Sequence, residues 1–337
     1  MKKFIGIFVF LLIIYGILLW SDEGARSAVN HFNLARRIGM YGILTLGAGT
    51  LIISGGIDLS MGSVVGLCAT IFAMLLQGEL GLTRWLVPPP GTEAPSWHQI
   101  LLPVISILAV LLLGAVIGLI NGLLVTKVRV QAFVVTLCGL FIFRGAARWI
   151  AGDTVHGLGI GHQTLKYYLY RSTDVFGLPM SLVFFLLLAA VAVVFLHFSV
   201  HGRYLYAIGS NEKAASYSGV ATDRYKILAY VLCSTLAALY GVLFLMQENS
   251  AQPSSTGNFL ELYAIAGAVL GGCSLRGGEG SVAGLAIGTT ILVLLPNLAI
   301  MLNIPSSLEY TVIGGALLLG AILDELLRRF GAARATK

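Results

Sequence analysis

The sequence predicts an all-α fold, a polytopic membrane helix bundle of about ten transmembrane helices with both termini cytoplasmic. Three observations carry that expectation. Of 337 residues, 57% are hydrophobic and 11% charged, whereas soluble domains carry about a quarter charged residues. Apolar stretches long enough to cross about 30 Å of hydrocarbon recur along the whole chain. Lys and Arg stand scattered at the ends of those stretches, where they act as topology signals. The net charge of +6 is therefore no nucleic-acid footprint, and no nucleic-acid partner is expected.

In chain order the apolar stretches are 4–20, 39–54, 60–77, 100–125, 130–150, 181–199, 224–246, 259–273, 281–302 and 308–327. Each must be helical in lipid, because no water is there to satisfy free backbone groups. The first follows Met1-Lys2-Lys3 and exceeds the core of a cleavable signal, about 7–15 residues, so it reads as an uncleaved helix. The stretches 39–54 and 259–273 are short, and each ends in a glycine-rich turn. The 41 glycines suit close helix packing in lipid, where small residues let backbones approach. Cys68, Cys138, Cys233 and Cys273 each stand alone and read as small apolar filler, with no metal site.

An inside N-terminus puts Lys2, Lys3, Lys127, Arg129, Arg203, Lys213, Arg224, Lys226, Arg276, Arg328, Arg329, Arg334 and Lys337 on the cytoplasmic side. Fewer cations fall outside, as the positive-inside rule requires. The Arg36-Arg37 pair runs against this map, since it lies outside unless residues 29–38 form a surface helix. Residues 1–337 form one transmembrane domain, with outer loops at 78–99 and 151–180 and an inner loop at 200–223.

Two segments carry the chemistry. In Ser54-Gly55-Gly56-Ile57-Asp58-Leu59-Ser60-Met61-Gly62-Ser63, a carboxylate sits between apolar segments, at about 2.5–3.5 kcal/mol if at mid-membrane. Asp58 or Ser60 therefore caps the following helix, a role compatible with a place beside a pathway. Gly55 to Gly66 is echoed by Gly271 to Gly284, both at inner turns, and paired glycine-broken segments are where transporters often build their pathway. In the inner loop, Ser210 or Asn211 as N-cap, Glu212 at the positive end and Gly219 as stop predict a helix of about two turns. Such a helix is marginal in water, so it must dock, and Ala214, Ala215 and Ser218 offer a small-residue face.

Three motifs stand in order: Gly-Gly-Ile-Asp-Leu-Ser-x-Gly-Ser at 55–63, Gly-Arg-x3-Ala-x-Gly-x-Asn-x2-Ala-Ala-x2-Ser-Gly at 202–219, and Leu-Gly-Gly-x-Ser-Leu-x-Gly-Gly-x-Gly-Ser at 270–281. With them, nearly the whole chain resembles the ribose/xylose/galactose-type ABC transporter permease family. The resemblance implies a bacterial inner-membrane subunit that forms the translocation pathway for a monosaccharide or similar small polar solute. It implies an ABC ATPase subunit, a periplasmic sugar-binding protein, a second permease copy or homologous permease, and membrane lipid as partners. By the same resemblance Gly202, Arg203, Ala207, Gly209, Asn211, Glu212, Lys213, Ala214, Ala215, Ser218 and Gly219 belong to the loop that contacts the ATPase. Gly55, Gly56, Asp58 and Ser60 lie in a turn close to the pore, and 270–281 lies at its inner side. The outer loops match no pattern of the family.

The dipeptide Gly-Lys is absent, so the chain lacks a phosphate-binding loop and any ATPase of that type. No cofactor is expected on it; ATP and Mg belong in the partner ATPase. No catalytic set stands out, which disfavours a membrane enzyme. For a sugar path, sparse hydrogen-bonding groups serve better than a tight site, and Asn121, Arg144 and Glu261 are the candidates that face it. For Arg144 and Arg148, near an outer helix end, snorkelling to headgroups is the default reading. The alternative is an ion-coupled secondary transporter acting without an ATPase, for which Asp58, Glu248 and Glu261 are the available ionisable groups.

Overall fold

A computed structural model describes residues 2–81, 83–84, 98–158 and 177–308, with isolated positions at 311, 314, 315 and 318. Eleven α-helices lie within them: α1 (Lys2–Ser21), α2 (Ala28–Ile53), α3 (Met61–Leu76), α4 (His98–Thr126), α5 (Ala132–Ile150), α6 (Met180–Val193), α7 (Val200–Ser210), α8 (Glu212–Tyr217), α9 (Thr222–Glu248), α10 (Leu260–Leu270) and α11 (Val282–Met301). A π-helical turn, Val194–Phe198, prolongs α6. Among the described residues the strands are β1 (His156–Gly157) and β2 (Ser250–Ala251), paired antiparallel with His156 opposite Ala251.

Among the described residues, five helical stretches are long and apolar enough to cross a membrane: Ile100–Thr126, Ala132–Ile150, Met180–Phe198, Thr222–Glu248 and Val282–Met301. Gly6–Ser21, Met61–Leu76 and Leu260–Leu270 are shorter apolar helices. The protein is thus an all-α, multi-pass membrane bundle. Most of the stretch expected at 308–327, and the greater part of the loops expected outside at 78–99 and 151–180, lie outside the described residues.

One expectation needs correction. The short helix read at 39–54 begins at Ala28 and runs for 26 residues, capped by Ser27, whose hydroxyl accepts from Asn30 N at 3.2 Å. Residues 29–38 therefore continue the apolar helix and do not form a separate surface helix. Polarity hid these turns from a hydropathy reading. Asn30 is buried and exchanges side-chain hydrogen bonds with Asn297 of α11, at 2.8 and 3.3 Å. The Arg36 carbonyl accepts from Ser181 Oγ at 3.0 Å.

Helices α2, α3 and α9 form the centre, with Leu44, Leu51, Val64, Phe72, Ala237 and Leu245 packed together. Helix α4 covers α9 through a glycine stripe. A Cβ at Gly114 or Gly118 would stand 2.8 or 2.5 Å from a carbonyl oxygen of α9, and one at Gly122 2.9 Å from the Ile227 Cα. This is the small-xxx-small packing that lipid favours, since apolar burial does not drive helices together there. Helix α5 packs on α3, α6 on α2, and α1 on α11. Cys68, Cys233 and Cys273 are buried free thiols, as filler should be, and Cys138 is exposed. Leu108, Leu112, Phe141, Ile142, Leu187 and Val191 face outward, which suits contact with lipid tails as apolar as they are.

The connections group at two ends. At one, Gln77 Nε2 donates to the Gly157 carbonyl at 2.6 Å, His156 Nδ1 lies 3.0 Å from Glu79 Oε2, and β1 pairs with β2. At the other, the α2–α3 turn, the α7–α8 joint and the α10–α11 turn meet. These sets alternate along the chain, as up-and-down crossings require.

Candidate functional site

The loop expected inside folds as two short helices, Val200–Ser210 and Glu212–Tyr217, one more than its composition suggests. Ser199 caps α7, accepting from Gly202 N at 3.2 Å. Asn211 then takes φ −160°, ending α7, and its side chain accepts from Ala214 N at 3.0 Å to start α8. Glu212 pairs with Lys226 Nζ of α9 at 2.5 Å, and Gly219, at φ +86°, stops the helix. The expected cap, first-turn acid and glycine stop are all where the sequence put them.

The small-residue face is not. Ala215 is buried against the protein's own bundle, while Ala214 and Ser218 are exposed. Residues four apart share a helix face and their immediate neighbour turns away, so Ala214 and Ser218 point outward together without Ala215. Arg203, Ala207 and Lys213 are also exposed; Gly202 is buried. Tyr217, a large aromatic side chain, is 90% exposed. The motif reading passed over it, because an aromatic at a helix end looks like core until its face is known.

Beneath α8 three backbones converge on Gly209. A Cβ there would overlap the Ile53 carbonyl oxygen at the end of α2 and the amide nitrogen of Gly278. Gly277, at φ +88°, lies so close that its Cβ would stand 2.7 Å from the Gly209 oxygen and 2.9 Å from the Gly55 Cα. Gly278 N donates to the Ile53 carbonyl at 2.9 Å, and Tyr206 Oη to the Gly280 carbonyl at 2.8 Å. Burial pushes the Tyr206 phenol up to about 12, so it remains a donor. The two glycine turns that echo each other in sequence thus grip the same residue, Gly209, from two sides. Only glycine lets backbones approach so closely.

Above this junction a polar cluster surrounds the first turn of α3. Asp58 is buried, and its Oδ1 accepts from Ser60 N at 2.8 Å and Ser60 Oγ at 2.6 Å. Asn121 of α4 donates to Ser60 Oγ at 3.1 Å, and Ser234 of α9 stands beside the carboxylate. Ser60 occupies the cap position of α3, yet its hydroxyl turns back to Asp58 and caps nothing. Gly56 packs on Leu51, and Tyr230 Oη donates to the neighbouring Ile57 carbonyl at 3.2 Å.

Glu261, buried at the start of α10, reaches the same turn, where a Cβ on Gly62 would collide with its Oε2. Arg144 of α5 faces Glu261 and donates to the Thr256 and Pro253 carbonyls at 2.6 and 3.1 Å. Arg144 therefore turns inward and does not snorkel, because the loop before α10 offers it carbonyl acceptors. Arg148, one turn on, forms a bidentate pair with Asp153 at 2.6 and 2.9 Å. Asp58, Ser60, Asn121, Arg144 and Glu261 thus form one polar patch across four elements, whereas Gly55 belongs to the junction below.

An all-α membrane bundle with a capped helix carried outside its spans, on glycine turns from two of its helix pairs, has the build of a transport subunit. The sequence matches, over residues 30–321, the family of branched-chain amino acid transport system permease components. The chain belongs to that family. It is 34% identical over 322 residues to the ribose import permease protein of Bacillus subtilis (strain 168), covering 95% of this chain and 91% of the relative. The ribose import permease protein of Escherichia coli (strain K12) is 31% identical over 314 residues, 93% of this chain and 91% of that one. The autoinducer 2 import system permease protein LsrC of Enterobacter sp. (strain 638) is 34% identical over 288 residues, 85% and 76% respectively. No solved structure matches. The resemblance read from the three motifs to sugar-type ABC importer permeases is thereby borne out, and these relatives are transport subunits, not enzymes.

Proposed function

We propose that this chain, a single permease domain of about ten crossings with both termini inside, forms the translocation pathway of an ATP-driven importer in a bacterial inner membrane. Its cargo is a monosaccharide or a similar small polar solute, delivered by a periplasmic binding protein. The protomer pairs with a second copy or a homologous permease. Two ATPase subunits, which bind ATP and Mg, engage the 202–219 segments from the cytoplasm. Binding at one state of the pathway and release at the other requires differential contact free energy, and nucleotide-driven closure of the partner supplies it.

The observation that carries this reading is the Gly209 junction. Helix α8 rests on Lys226, and α7 is held between the α2–α3 and α10–α11 turns. A push on α8 therefore moves Gly55 and Gly277 together, and through the α2–α3 turn it reaches Asp58 and Ser60. Asn121, Arg144 and Glu261 complete the polar patch at which hydroxyl groups of the solute exchange hydrogen bonds on the way through. Sugar relatives support the cargo class, and the patch has donors and acceptors enough for it.

Proteoliposomes holding the permease with its co-expressed ATPase and binding protein, assayed with radiolabelled ribose and other monosaccharides, test the proposal. Uptake should need ATP and ignore a protonophore. Uptake that persists without the ATPase and collapses with the protonophore would establish the ion-coupled alternative instead.

A further inference from the structure

The α10–α11 turn presents more than a support for Gly209. Leu275 is 61% exposed at its tip, and Arg276 beside it is exposed. Neither Leu275 nor Tyr217 lies in a helix long and apolar enough to cross the membrane, so lipid does not explain their exposure as it does for Phe141 or Val191. The two side chains sit on one mechanical piece. Gly278 N bonds the Ile53 carbonyl, Gly278 packs on Ser210, and Tyr206 bonds the Gly280 carbonyl. Helix α8 is only about 9 Å long at 1.5 Å per residue. Tyr217 and Leu275 therefore fit well within a standard interface patch of about 800 Å² per partner.

The surrounding charge is one-sided. Arg203, Lys213, Arg224 and Arg276 are exposed there. Of the nearby acids, Glu212 is engaged by Lys226, and Asp223 by Lys127 and Arg129. Glu279 alone of the exposed residues in the turn is acidic. An aromatic anchor with an aliphatic neighbour and a cationic rim is the composition of an interface centre, where Tyr and Arg carry most of the affinity.

Resting on the reading that an ATPase engages 202–219, we infer that this subunit docks on a composite face of α8 and the α10–α11 turn. Tyr217 and Leu275 are its apolar anchors, and Arg203, Lys213 and Arg276 its rim. The matching surface on the ATPase is an apolar cleft bordered by carboxylates. The turn at 274–280 is thereby a direct contact of the ATPase as well as a neighbour of the pathway.

The ATPase subunit that co-purifies with the tagged permease, re-added to stripped permease variants in detergent, provides the test. Tyr217→Ala, Leu275→Ala and Arg276→Glu should each lower its affinity about tenfold or more, Tyr217→Phe should keep it, and added salt should weaken the wild-type complex. Thermal midpoints at the wild-type value show that the variants fold. If Ala214→Trp on α8 releases the ATPase while Leu275→Ala and Arg276→Glu bind as wild type, the composite face is refuted and the coupling role of 202–219 stands. If Ala214→Trp also leaves binding intact, both fall. Variants that lose affinity only for phosphatidylglycerol vesicles would assign the face to lipid and refute the inference.

Discussion

Gly209→Ala puts the junction to a severe test. The added methyl would lie 3.1 Å from the Gly278 Cα and overlap both the Ile53 carbonyl oxygen and the Gly278 amide nitrogen. All of these are backbone atoms, so no side chain can swing aside. To regain carbon contacts of about 3.5 Å, α7 must draw back from both turns. That retreat breaks the 2.8 Å bond from Tyr206 Oη on α7 to the Gly280 carbonyl, worth about 0.5–1.5 kcal/mol. Residual overpacking adds about 1–3 kcal/mol, for a total of about 1.5–4.5 kcal/mol. At 1.4 kcal/mol per factor of ten, ATP-driven uptake should fall at least about tenfold. The assay is the initial uptake rate per permease in the membrane, quantified by immunoblot, alongside the thermal midpoint in detergent. Gly16→Ala is the control, because a Cβ there meets nothing within 4 Å. Wild-type uptake and a wild-type midpoint in Gly209→Ala would refute the argument that these backbones transmit the push.

Asn211→Ala removes the cap of α8 and should cost about 1 kcal/mol of local stability; faster amide exchange over 212–218 is the readout, and unchanged exchange would contradict it. Tyr206→Phe deletes the bond to the Gly280 carbonyl without changing the packing, so the midpoint should drop by about 1 kcal/mol equivalent and uptake with it. Arg144→Ala strips the Pro253 and Thr256 carbonyls of their donor. Two buried acceptors left unpaired should destabilise the protein by about 1–3 kcal/mol each, and protease sensitivity between residues 249 and 259 would rise. Arg144→Lys, which keeps the charge and loses the planar fork, should recover only part of that loss.

What the sequence determined by itself is local. Apolar length and low charge require a membrane bundle, since each crossing must satisfy its own backbone. Asn211, Glu212 and Gly219 define α8 because capping is decided within a few residues. The three motifs were legible for the same reason, each being contiguous. What only the tertiary structure decided is which of these pieces meet. Nothing in the order of residues says that Gly55, Gly209 and Gly277 touch, because the three lie on different turns and are brought together by helix packing. The inward turn of Arg144 depends on carbonyls more than a hundred residues away. The start of α2 at Ala28 escaped a hydropathy reading because its Asn30 is satisfied by Asn297 on another helix. A buried polar residue looks like a surface one until its partner is known. Ala215 turned inward and Tyr217 outward for a kindred reason, since composition names a helix and only its packing chooses which face is left exposed.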